Sequence, residues 1–303
     1  MIGHALTGLY AKPALLLTLT ALFWAGNAIA GQLAVGEVAP FQLVALRWVL
    51  VSVVLLALFG GELREHWGAV KGRLPFVITV ASLGFTGFNG LFYLASLSTS
   101  AVNIGILQGS IPVFVLLMAY VAYGTRISAI QTVGVAATLV GVVLVATDGA
   151  PVSLLTLGVA PGDGLMVLAC LLYAFYATCL QRRPDLPGRA FFTLMSAIAA
   201  VTSLPFFAAE WVIVDPPFPT MEGFAVILFV AIFPSCLAQL FFMRGVDLIG
   251  PGRAGVYVNL VPVFASILAI LLLGERFAWF HALALALVLG GIWLAQRSPR
   301  PAR

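Results

Sequence analysis

Three polar stripes interrupt an otherwise apolar chain. Thr86, Asn89, Tyr93 and Ser96 follow at spacings of 3, 4 and 3, which places them on one face of a helix. Trp24, Asn27 and Gly31 form a second stripe, and Ser235, Gln239 and Met243 a third. Gln108 and Asn259 add two amides, while Tyr173, Tyr176 and Tyr257 add hydroxyl-bearing rings. Amides, hydroxyls and aromatic rings recognise a solute by hydrogen bonds and stacking; they do not cleave it. A nucleophile would need a base beside it, and a metal would need His, Cys or carboxylate ligands together. Asp148, Asp163, Asp247 and Glu275 all fall near the ends of apolar runs, His4 and His66 lie in flanking segments, and His281 opens the last run. Cys170, Cys179 and Cys236 sit inside apolar runs and read as small buried hydrophobes. The expectation is a non-enzymatic protein without catalytic residues, metal or cofactor.

The elements that carry these stripes follow from composition. Of 303 residues, 62% are hydrophobic and 9% charged, against roughly 25% charged in soluble domains. A soluble protein could not cover its surface with so few polar groups. Apolar runs lie near 13–33, 41–60, 74–96, 101–123, 128–147, 161–181, 189–209, 222–243, 254–273 and 277–296. Each is about the 20 residues a membrane-spanning helix needs. The fold expected is therefore an all-α membrane protein of ten transmembrane helices, joined by short loops such as 60–65 and 182–188. Lys12 and the following run imitate a signal peptide, but the run is too long, and its removal would spoil the charge pattern below.

The fifteen basic residues orient the spans. Lys12, Arg64, Lys71, Arg73, Arg126, Arg182, Arg183, Arg189, Arg244, Arg253, Arg297, Arg300 and Arg303 fall on one side, and only Arg47 and Arg276 on the other. Short basic loops stay cytoplasmic, so both termini, 1–12 and 297–303, are expected in the cytoplasm. The same bias accounts for the net charge of +4 without a nucleic-acid partner; the lipid bilayer and a small molecule are the partners expected. Arg47 lies about six residues into its span, roughly 9 Å along the axis. Its long side chain is expected to reach for the interface, with a substrate carboxylate at the outer mouth as its other reading.

Gly105–Arg126 can be laid on Gly255–Arg276 with a constant shift of 150 residues. Gly105, Pro112, Val113, Phe114, Ala119, Gly124 and Arg126 recur as Gly255, Pro262, Val263, Phe264, Ala269, Gly274 and Arg276. The same shift sets Phe92 on Phe242, Asn89 on Gln239 and Gly141 on Gly291. It crosses five spans, an odd number, so the halves 13–147 and 161–296 would be inverted five-helix repeats. Inverted repeats are a signature of secondary transporters, with the substrate at the midplane between the halves. Pro112 and Pro262 interrupt equivalent spans and are the expected hinges.

Trp24-Ala-Gly-Asn27, Arg47-Trp48, the paired Pro-Val-Phe runs and Gly274-Glu275-Arg276 resemble the drug/metabolite transporter superfamily. The likeness is to ten-helix exporters of the EamA type, and within them to aromatic-amino-acid and paraquat exporters. Two departures stand out: Gly124-Thr125-Arg126 lacks the acid of its counterpart, and Tyr173–Tyr176 lacks the family's common tryptophan. The resemblance implies export, across a bacterial-type inner membrane, of small organic solutes such as aromatic or bulky neutral amino acids. Candidate substrate contacts are Trp24, Asn27, Asn89, Tyr93, Gln108, Tyr173, Tyr176, Gln239, Tyr257 and Asn259. With no acid near the middle of a span, facilitated diffusion or exchange without proton coupling is expected. Proton-coupled export of cationic drugs or other metabolites and a passive channel remain the alternatives. No sequence feature demands a second copy, so a monomer is the simplest expectation.

Overall fold

A computed structural model describes residues 10–152 and 160–296; the terminal segments 1–9 and 297–303 lie outside them. All regular structure among the described residues is helical. Nine helices are long and apolar enough to cross a membrane: α1 Pro13–Leu33, α2 Pro40–Glu65, α3 Leu74–Ser96, α4 Ala101–Tyr123, α5 Ala129–Ala146, α6 Pro161–Arg182, α7 Gly188–Val214, α8 Met221–Ile249 and α9 Arg253–Leu273. A shorter apolar helix, α10 Trp279–Ala295, follows. Their outward faces carry exposed side chains such as Val53, Leu58, Val201 and Val212, which a lipid environment accommodates and water does not.

Local chemistry sets the ends. Prolines at the first turns of α1, α2 and α6 cost no intrahelical bond there. Side-chain oxygens of Ser100, Ser128 and Thr220 accept from backbone N–H groups in the first turns of α4, α5 and α8. Gly124 ends α4 at φ 65° and ψ 23°, and Gly274 ends α9 at φ 66° and ψ 21°, a left-handed geometry that glycine adopts without steric cost. The expected loop 60–65 is instead the last turn and a half of α2. Leu63 is buried there, and Glu62 meets Arg189 of α7 at 3.3 Å, so packing carries the helix through Gly60-Gly61.

α2 packs along α7, and α5 along α10. The second contact is glycine-mediated: a methyl group on Gly134 would lie 2.4 Å from the Gly291 carbonyl oxygen, and one on Gly141 would lie 3.0 Å from that of Ala284. Small residues are what let membrane helices approach this closely.

Four spans depart from regular helix in their interiors. α3 widens into a π-turn at Ser82–Gly87, and α8 does so at Ala231–Leu237. Pro234 accounts for the second, because it has no N–H to keep the regular ladder. α4 breaks between Gln108 and Ile111, and α9 between Val258 and Leu260; apart from these four interior segments, α9 ends in a π-turn at Ala269–Leu273 and α6 in a 3-10 turn at Leu180–Arg182. Pro112 and Pro262, expected to kink continuous spans, instead lie in the first turn after each break, where a proline is tolerated.

Candidate functional site

The four irregular segments surround one cavity of about 120 Å³. Its floor is built around Arg47 of α2. The sequence led us to expect this side chain at the interface; it is instead only 5% exposed and faces the centre of the bundle. Nε donates to Ser235 Oγ at 2.6 Å, and Nη1 donates to Asn89 Oδ1 at 2.6 Å and to the Tyr93 hydroxyl at 2.7 Å. The ring of Trp48 lies 5.1 Å from the guanidinium carbon, within cation–π range.

These partners explain the π-turns. Asn89 donates to the Phe85 carbonyl at 2.7 Å, and Ser235 donates to that of Val230. Trp24 Nε1 reaches the Pro234 carbonyl at 3.2 Å. Carbonyls displaced from regular pairing are thus satisfied by side chains that also hold Arg47, as buried polar groups require. Tyr93 donates onward to Asn27 Oδ1 at 2.8 Å. The stripes on α1, α3 and α8 thus meet at one cation. Among the described residues no carboxylate comes within ion-pair distance of it; the pair present is Arg189–Glu62.

Trp24, Asn27, Asn89, Gln108, Tyr173, Gln239 and Asn259 line the cavity, with Pro112 beside them. Tyr93 is buried behind this lining as a support of Arg47 and Asn27. Tyr176 lies between the cavity and a larger vestibule, whose wall it forms. Tyr257 lines neither. Pro262 packs at the crossing of α4 and α9, where a methyl group on Gly109 would lie 3.2 Å from its ring. Sequence reasoning pointed to aromatic walls but missed their phenylalanines: Phe85 stacks on Trp48 at 4.8 Å and meets Phe192 at 6.1 Å, and Phe88 meets Tyr173 at 5.1 Å. The signal was the spacing of Phe85 and Phe88 within the stripe on α3.

The vestibule, about 740 Å³, shares Phe85, Phe192 and Gln239 with the cavity and ends at Tyr10, Arg183, Arg189, Arg244 and Asp247. It therefore leads from the site to the face where the chain enters α1. On the opposite face polar side chains tie helix ends together. Glu275 accepts from the Ala101 and Val102 N–H groups at 2.8 and 3.0 Å, a carboxylate on a helix N-terminus. Asp163 accepts from Thr99 and from the Asn103 amide. The Ala278 N–H donates to His281 Nδ1, which leaves Nε2 to donate to Asn103 Oδ1 at 3.1 Å. Glu210, which the sequence placed just beyond its span, is buried within α7 and caps α2 through the Phe41 and Gln42 N–H groups.

Apolar helices around a largely aromatic cavity that holds a few polar side chains and shares its lining with a vestibule on one face define a multi-pass membrane protein built to hold a small molecule. The chain belongs to the EamA-like transporter family, whose model matches residues 11–147 and 160–296. It is a membrane transporter. It is similar to the uncharacterized transporter YetK of Bacillus subtilis (strain 168), at 26% identity over 88% of this chain and 82% of that one. An uncharacterized transporter of Archaeoglobus fulgidus is 28% identical over 93% and 96% of the two chains. A solved crystal structure of a protein aligns with a TM-score of 0.65 over 93% of this chain and 96% of its own, at 18% identity, a likeness of fold.

Proposed function

We propose that the chain is an alternating-access carrier that exports small organic solutes, among them aromatic or bulky neutral amino acids, across a bacterial-type inner membrane, with both termini cytoplasmic. The observation that carries this reading is a cavity between the helices, continuous in its lining with a vestibule on one face, while hydrogen bonds fasten helix ends on the other. That is one half of an access cycle. The other half would come from exchange of conformations between two inverted five-helix repeats. Several equivalences 150 residues apart support the repeats. The π-turns of α3 and α8, the breaks beside Pro112 and Pro262, and the left-handed caps Gly124 and Gly274 coincide under that shift, whereas the π-turn Ala269–Leu273 falls on regular helix in α4. The contacts Gly141–Ala284 and Gly134–Gly291 also exchange under it, as residues across a two-fold axis do. The family model matching the chain in two tracts agrees with this division.

Transport runs down the solute's own gradient or by exchange. The lining residues of the cavity include no Asp, Glu or His, the groups that relay protons in coupled transporters. A monomer contains the whole site. The test is uptake of radiolabelled phenylalanine, tryptophan, threonine and methionine into proteoliposomes at rising concentration, with and without a pH gradient. Saturable uptake unmoved by the gradient is the expected result. Uptake that requires proton flow would overturn the uncoupled mechanism, and flux linear in concentration would favour a channel.

A further inference from the structure

The cavity contains more unmatched polarity than helix packing needs. Arg47 spends Nε and Nη1 on Ser235, Asn89, Tyr93 and, at 3.5 Å, Asn27, all uncharged. Among the described residues no carboxylate lies within ion-pair distance to balance its charge. Beside it, Trp48 is 3% exposed and its buried Nε1–H has no partner. Two acceptors are in the opposite condition: Gln108 Oε1 and Asn259 Oδ1 are buried without a donor among the described residues. All four residues line the same cavity. A buried donor or acceptor left alone is costly, and a lone buried cation more so.

Unmatched donors and unmatched acceptors come from different elements. Arg47 and Trp48 belong to α2, whereas Gln108 and Asn259 flank the breaks in α4 and α9. The rings of Phe85, Phe88 and Tyr173 line the same cavity. We propose that Arg47 and Trp48 bind the carboxylate of the carried solute, and that the Gln108 and Asn259 amide oxygens receive its ammonium group. The site thereby selects α-amino-acid zwitterions. This assignment rests on the carrier reading and deepens it. A carboxylate supplies the acceptor that guanidinium N–H groups fit best, and it cancels the charge that α2 otherwise holds alone. An ammonium group donates up to three hydrogen bonds, enough for both amides. A cationic solute without a carboxylate would meet Arg47 as a like charge in a site of low dielectric, which opposes the cationic-drug alternative.

The test is ligand-induced thermal stabilisation of the purified full-length protein by L-phenylalanine, L-methionine, 3-phenylpropionate, which lacks the ammonium, and phenethylamine, which lacks the carboxylate. An amino acid is expected to stabilise most, and phenethylamine to bind roughly tenfold to hundredfold more weakly. Arg47→Gln should abolish that preference. Should Arg47→Gln not fold, the ligand series on the natural protein still decides the carboxylate assignment. Gln108→Ala combined with Asn259→Ala should bring phenylalanine down to the affinity of 3-phenylpropionate. Phenethylamine binding as well as phenylalanine, or no amino acid binding at all, would overturn the proposal. Saturable counterflow of a solute without a carboxylate would then leave the carrier standing and remove this assignment alone.

Discussion

Arg47 joins two helices that have each given up a regular turn. Its side chain reaches Asn89 beside the π-turn of α3 and Ser235 within that of α8, so the charge is both a support of the site and a part of it. Tyr93 completes the set by accepting from Arg47 and donating to Asn27. Tyr93→Phe removes both bonds while keeping the ring. It leaves Arg47 Nη1 and Asn27 Oδ1 with their own long contact at 3.5 Å in place of two short bonds, at a cost of about 1–3 kcal/mol. Reversible unfolding of the purified variant in detergent should show that loss, and an unchanged stability would contradict the network. The sequence disclosed the polar stripes, because helical spacing alone aligns them. It did not disclose that Arg47 turns inward. A lone arginine six residues into an apolar run reads as a snorkelling side chain until the neutral acceptors on two other helices are known to converge on it. Tyr257 misled in the opposite sense, because span membership says nothing about which face a ring takes.

The irregular elements divide by how much local chemistry betrays them. Glycine at 124 and 274, each followed two residues later by arginine, marks the helix ends directly. Pro234 foreshadows the π-turn of α8. The π-turn of α3 has no proline; Gly84, where an added methyl group would lie 2.4 Å from the Tyr176 ring, serves close packing instead. The breaks beside Pro112 and Pro262 were legible as interruptions, though not as helix restarts. The acid missing from Gly124-Thr125-Arg126 also finds a physical meaning. Glu275 caps the start of α4 on the face opposite the vestibule, whereas Thr125, its counterpart, donates to the Ala119 carbonyl. The face bearing the vestibule thus has no equivalent carboxylate latch. Glu275→Gln weakens two charge-assisted bonds and should raise the population of the state open on the opposite face, by roughly tenfold for a loss of about 1.4 kcal/mol. The labelling rate of Ser96→Cys, buried on that face, with a membrane-impermeant maleimide reads this out, against a background with the three natural cysteines replaced. A rate no different from that in the Glu275 parent would remove the latch.

Across the whole molecule, the apolar helices were legible from composition, because the bilayer imposes length and hydrophobicity together, whereas 60–65 read as a loop and is helix. Packing partners were not legible, since every span is apolar on most of its circumference. The alternating-access reading makes a prediction from one asymmetry. A methyl group on Gly105 would lie 2.4 Å from Ala265 Cβ, whereas around Gly255, its counterpart, there is open space. Equivalent positions should exchange these environments as access alternates. Gly255→Leu is therefore expected to fold with little loss of stability yet to slow turnover by about tenfold or more, through the 1–3 kcal/mol cost of overpacking the other state. Equal flux in the variant and the parent protein would break the symmetry argument.

The most direct measurement of the central claim is counterflow. Proteoliposomes loaded with unlabelled phenylalanine are diluted into a trace of the labelled amino acid, with no ion gradient. A carrier that exposes one site alternately predicts a transient accumulation of label above its equilibrium level, absent from empty liposomes and saturating with internal solute. Label that enters only to equilibrium, at a rate indifferent to the internal amino acid, would contradict it.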